Sequence, residues 1–116
     1  MSMASEELAD RIRLQLAHDP DISERRMFGG TAFMWHGNML IGPMKDGGLL
    51  VRCGKQAYAA TLALPGAGPM DFTGRSMSGF VVVAGDAIED DESLIQWIEI
   101  ARAFVRTLPP KAGDRD

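Results

Sequence analysis

The spacing of apolar residues divides the chain into helical ends around a middle of extended segments. Over Ser5 to His18, Leu8, Ile12 and Leu16 recur every fourth residue among Glu7, Asp10, Arg11, Arg13 and Gln15. That is the period of an amphipathic helix, and Leu14, off the main stripe, widens it. Ser5 is placed to cap the start, Glu6 and Glu7 suit the positive end of the helix dipole, and Pro20 follows the stop.

From Arg25 the period changes. The run Met27 to Trp35, with Gly29-Gly30 and Phe28, Phe33 and Trp35, is too rich in glycine and aromatics for a helix. It reads as one strand, bent or bulged at the glycine pair. His36-Gly37-Asn38 turns the chain into a second strand, Met39 to Met44. Asp46-Gly47 then supplies the positive φ angles of a type I′ hairpin turn into Leu49 to Cys53. Lys55 to Leu64 holds good helix formers for a short helix that Pro65-Gly66 ends. Met70 to Arg75 and Gly79 to Ala84 read as two more strands, the second nearly all apolar and so covered on both faces.

The last element repeats Leu94, Ile98, Ala101, Val105 and Leu108 at spacings of four and three, broadened by Trp97 and Phe104. Asp90 or Asp91 caps this long helix, Glu92 lies in its first turn, Arg102 and Arg106 lie toward its end, and Pro109-Pro110 stop it. The order is therefore α-β-β-β-α-β-β-α, an α+β domain of two layers with helices packed on an antiparallel sheet. It forms a single domain over residues 1–116, with a core of about 5–111 and a short polar tail.

Composition adds limits to this picture. The 116 residues are enough for one core and too few for two. One cysteine allows no internal disulfide, which points to a reducing cytoplasm. No 18-residue apolar run exists, so no membrane span is expected. The net charge of −4 excludes a uniformly basic nucleic-acid binder. It conceals a division, because residues 1–24 hold two basic and six acidic side chains, 25–75 hold six and two, and 76–116 hold four and eight. The middle of the chain is basic between acidic flanks.

Candidate chemistry is sparse. His18, His36 and Cys53 share no metal-ligand spacing, so no metal or other cofactor is expected. Cys53, ahead of Gly54-Lys55, is a conceivable nucleophile with His36, but no third orienting group accompanies it and a small buried apolar role accounts for it. Gly66-Ala67-Gly68-Pro69 lacks the lysine and helix start of a phosphate loop. Glu89-Asp90-Asp91-Glu92 is explained by capping. Ser78 to Val83 lacks the aromatic positions of an RNA-stacking strand. The many methionines on predicted strands fill core gaps, while apolar residues on both sheet faces leave a self-association or partner surface at Met34, Trp35 and Met44. Arg26, Arg52 and Arg75 each interrupt an apolar strand, and with Lys55 they form a candidate anion-binding set.

Several segments together resemble the N-terminal domain of the TfoX/Sxy family. They are Arg26-Met27-Phe28-Gly29-Gly30, Gly37-Asn38-Met39, Leu50-Val51-Arg52, Gly74-Arg75-Ser76-Met77, Gly79-Phe80-Val81, Leu94 with Trp97, and Leu108-Pro109-Pro110-Lys111, spread over residues 5–111. The resemblance implies a compact α+β fold similar to secretion chaperones. It also implies a link to regulation of natural competence, in which longer relatives with a second, C-terminal domain act as transcriptional coregulators. It implies no catalytic residues.

Three functional expectations follow. The first is a non-enzymatic, cytoplasmic regulatory or protein-interaction domain, homodimeric and able to bind a protein partner, with apolar surface on a sheet face. The second is binding of an anionic small molecule or nucleic acid, which requires Arg26, Arg52, Lys55 and Arg75 to share one patch. The third is an enzyme using Cys53, which requires an accessible, activated thiol.

Overall fold

The computed structural model describes residues 3–27, 30–72 and 75–110, with side chains over 5–26, 30–70 and 78–110. Helix α1 (Met3–Leu16) leads into strands β1 (Ile22–Met27), β2 (Gly30–Trp35), β3 (Asn38–Pro43) and β4 (Leu49–Arg52). Helix α2 (Tyr58–Leu62), strands β5 (Ala67–Phe72) and β6 (Arg75–Val83), and helix α3 (Asp91–Val105) complete the order. The fold is the expected α+β arrangement, with six antiparallel strands ordered β1-β2-β3-β4-β6-β5.

The region read as one bent strand is a hairpin of two. Met27 pairs with Gly30, and β1 runs back to Ile22 opposite Trp35. Ser23, Glu24, Arg25 and Arg26 are too polar to signal a strand, but β1 lies at a sheet edge, where polar side chains are tolerated. The two-residue type I′ turn is found at His36-Gly37, with φ of 48° and 83°. At Asp46-Gly47 only the glycine takes positive φ, 89°. There the amide of Gly47 donates to Met44 and that of Met44 to Gly48, so the loop is one residue longer than a type I′ turn.

A bulge in β3 sets which residues reach the core. Phe33 pairs with Ile41 and Met34 with Met39, which leaves Leu40 as the extra residue. Leu40 and Ile41 therefore both join Phe33 in the core cluster, each fully buried, although they are neighbours in sequence. Beyond the bulge, Ile41, Val51 and Val81 line up across three strands, as do Leu49, Val83 and Ala67 on the same face.

Helices α1 and α3 cover that face with Leu8, Ile12 and Leu16 from the first and Leu94, Trp97, Ile98, Ala101 and Val105 from the second. Burying side chains of this size contributes roughly 1.5–3 kcal/mol each before ordering entropy is set against it. Two charged contacts tie the α3 region to α1 and to the turn that follows it. Arg11 Nη2 lies 3.2 Å from Asp91 and donates to the Glu89 carbonyl, and Arg102 Nη1 donates to Asp19 at 2.8 Å. Arg13 binds Glu24 of β1 through Nε and Nη2 at 2.7 and 2.9 Å.

Local details differ from expectation at the helix ends. Helix α1 begins at Met3, so Ser5 is a buried residue within it rather than its cap. Leu14 is 76% exposed and does not widen the core stripe, because it points directly away from the Leu8-Ile12-Leu16 line. Asp90 is the cap of α3, its side chain accepting the Ser93 amide at 2.9 Å. Among the described residues, no helix is long and apolar enough to cross a membrane.

Candidate functional site

The flank of α3 away from α1 borders a groove of about 620 Å³. Its other walls are the end of β4, the connection into α2, and the bend in β6 at Gly79. Glycines make this assembly close-packed. Gly54 has φ of 86°, and a Cβ there would overlap the Phe104 ring. Gly79, with φ of 93°, approaches so closely that its Cβ would lie 3.3 Å from the Gly54 carbonyl carbon. Its own carbonyl accepts both the Cys53 and Gly54 amides, tying the end of β4 to the bend.

Arg52 projects into this groove. Its guanidinium carbon lies 5.5 Å from the Phe80 ring centroid and 5.6 Å from that of Phe104, within cation-π range of both. Its guanidinium donates from Nη1 to the Met39 carbonyl over a long 3.5 Å. Burial pushes the guanidinium below its ordinary pKa, and among the described residues no carboxylate offsets that shift. An arginine nonetheless stays charged. Lys55, exposed at the rim, adds a second positive charge. The surroundings are otherwise mainly apolar, with Ile100 and Ala103 beside the two rings. An aromatic wall, a desolvated guanidinium and a rim lysine suit an anionic group carried on an apolar body.

The other sequence candidates lie elsewhere. Arg26 on β1 lines a smaller pocket with Asp10, Arg13 and Thr31. Three strand spacings, about 14 Å, separate β1 from β4, so Arg26 does not share the Arg52 groove. The side chain of Arg75 lies outside the described residues. Of the four cations, the structure brings together Arg52 and Lys55. Phe104 packs against the core, as its place beside the apolar stripe implies, and it also forms the groove wall beside Arg52, a contact that depends on Gly54 and that stripe spacing does not signal.

The proposed sheet surface also separates. Met34 is 4% exposed between Ser23 and Met39, so it offers no free surface. Trp35 packs on the helix-covered core opposite Ile22, and Met44 is a half-buried turn residue. The large exposed apolar residues described are Leu14, Leu64 and Ile95, none of them on the sheet.

Cys53 is a core residue at 2% exposure, with its sulfur 3.5 Å from the Gly79 carbonyl and 3.6 Å from that of Gly54. His36 is held in its turn by Asp21 at 3.2 Å and by edge contact with Trp35. Among the described residues, no group of three or more His, Cys, Asp or Glu converges as metal ligands would.

Comparison with known families aligns residues 14–105 with the model of the TfoX N-terminal domain. That span runs from α1 through Val105, the last residue of α3, and includes every residue of the groove except Thr107. No curated protein matches the chain significantly.

Proposed function

Since the chain belongs to the TfoX N-terminal domain family, we propose that it is a non-enzymatic protein-interaction domain whose binding surface is the Arg52 groove. A regulatory role, such as the competence regulation linked to longer members of the family, would be exercised through that binding. The observation that carries the reading is the Arg52 guanidinium, partly desolvated against Phe80 and Phe104 with no carboxylate partner among the described residues. Desolvating a cation is costly, and an incoming carboxylate recovers that cost through a charge-assisted hydrogen bond. An acidic, partly apolar segment of a protein is the ligand this chemistry fits.

The buried, carbonyl-facing thiol of Cys53 supports a structural cysteine rather than a nucleophile, and a lone free thiol fits a cytoplasmic setting. Nucleic acid is the weaker ligand, because Arg26 lies across the sheet and a phosphate backbone calls for several cations along a track. The test is an amide-shift titration with a blocked peptide alternating glutamate and leucine, against its lysine counterpart. Shifts at Gly54, Lys55, Gly79 and Thr107 with the acidic peptide alone, lost in Arg52→Ala, are expected. Equal response to both peptides, or none, would overturn the reading.

A further inference from the structure

The groove and the stretch where the chain leaves α3 lie at one end of the sheet. Thr107 lines the groove, and two residues later the Pro109 carbonyl accepts from Asn38 Nδ2 at 2.9 Å. Met39, next in β3, gives its carbonyl to Arg52 Nη1 at 3.5 Å. Neighbouring residues of one strand thus anchor both Pro109 and the guanidinium of the groove. Adding the two bonds to the reach of the Asn38 side chain and the Met39 peptide puts Arg52 Nη1 at most about 16 Å from the Pro109 carbonyl. Beyond Pro110 the sequence reads Lys111-Ala112-Gly113-Asp114-Arg115-Asp116. Counted from Pro109, an extended chain carries Asp114 up to about 18 Å and Asp116 up to about 25 Å. Both carboxylates are within reach of Arg52.

No acid among the described residues pairs with Arg52 or Lys55. Glu6 and Glu7 on α1 and Glu92 at the start of α3 are held by the fold away from the groove, so only another molecule could present such acids to it. A segment tethered at the mouth of the groove has an effective concentration on the order of millimolar, above that of a second molecule in dilute solution. That difference selects the occupant. We propose that residues 111–116 occupy the Arg52 groove of their own chain, with the Asp114 and Asp116 carboxylates on Arg52 and Lys55, and that an acidic partner binds by displacing them. The inference rests on the groove reading above, and it makes recognition there a competition. Lys111 and Arg115 oppose the attraction, which keeps the contact weak enough to be displaced.

Amide shifts of the full chain and of its Asp114→Asn/Asp116→Asn variant test this, with the blocked glutamate-leucine peptide as probe. Before peptide is added, the variant is expected to differ from wild type at Gly54, Lys55 and Gly79, all distant from the substitutions in sequence. With Arg52→Ala also present, the same two substitutions are expected to leave those amides unmoved. The peptide is expected to bind the Asp114→Asn/Asp116→Asn variant about threefold or more tighter than wild type, because the groove is then open. Glu89→Gln/Glu92→Gln removes as much charge from the other end of α3 and is expected to change neither shifts nor affinity. Groove amides that stay in place in the Asn variant overturn the proposal. Differences that grow with protein concentration put the segment in another copy's groove and overturn it too. If the peptide binds both proteins equally, the occupant fails and the groove reading stands. If the peptide binds neither, the groove reading fails and the displacement with it.

Discussion

Asn38 donates from Nδ2 to the Pro109 carbonyl at 2.9 Å, joining the start of β3 to the chain just beyond α3. The two residues are 71 apart in sequence, and the bond fastens the C-terminal end of the helix over the turn at His36-Gly37. Asn38 is 5% exposed, so its amide has little access to water as an alternative partner. Asn38→Ala is expected to destabilise the fold by about 1–2 kcal/mol, read as a lower urea midpoint with an unchanged slope.

The Gly54 contact with Phe104 defines the groove wall. Gly54→Ala meets both a left-handed backbone and a ring where its methyl would sit. A loss of about 2–3 kcal/mol is expected from strain and overpacking together. In a Phe104→Ala background the steric part disappears and the backbone part remains, so the cost is expected to shrink but not vanish. Equal costs in both backgrounds would show that the ring is not what excludes the methyl.

Asp19 and Arg102 are 16% and 17% exposed and 2.8 Å apart, unlike the more exposed ion pairs of the helix layer. Removing the acid leaves Arg102 with Glu99 at 3.4 Å, a pairing without hydrogen-bond geometry at Nε, which has no hydrogen-bond partner. Asp19→Ala is expected to cost about 2–3 kcal/mol in thermal or chemical unfolding. Asp10→Ala, which removes the more exposed pairing with Arg13, is expected to cost under about 0.5 kcal/mol.

Acid should weaken the fold through two carboxylates. The hydrogen bonds from Arg13 hold Glu24 below its ordinary value of 4.5, and those from Ser93 hold Asp90 below 3.8. A depressed native pKa means that the unfolded chain takes up protons first. The stabilisation is thus fully present above the ordinary values and is lost as pH falls from about 4.5 through the lower native ones. Glu24→Gln is expected to flatten the acid limb of the unfolding midpoint plotted against pH; a limb unchanged in slope would assign it to other groups.

Cys53 should be unreactive in the native state. Iodoacetamide near neutral pH is expected to label it only after denaturant is added, and Cys53→Ala is expected to leave peptide binding at the groove intact. Rapid native labelling would restore the thiol as a candidate nucleophile.

The helices and their order were legible because periodicity is a local property. Leu8, Ile12 and Leu16 identify the buried face of α1 whatever lies opposite, and the Leu94 to Val105 stripe does the same for α3. Strand β1 escaped notice because edge position, which only the sheet supplies, excuses Ser23 to Arg26 from being apolar. The bulge at Leu40 was equally hidden, since alternation assigns Leu40 and Ile41 to opposite faces while pairing with β2 puts both inside.

The basic middle of the chain was likewise visible in its charges, but charge counts carry no positions. Arg26, Arg52 and Lys55 fall within 30 residues of one another, and sheet order sets the first apart from the others with β2 and β3 between. Sequence alone therefore determined the family, the layered α+β architecture and the faces its helices bury, because each rests on residue identity and local spacing. Tertiary structure alone decided that Arg52 meets Phe80 and Phe104 in a groove and that Met34 has no surface to offer. Those facts depend on strand order, a bulge and close approach at Gly54, all set by contacts between residues distant in the chain.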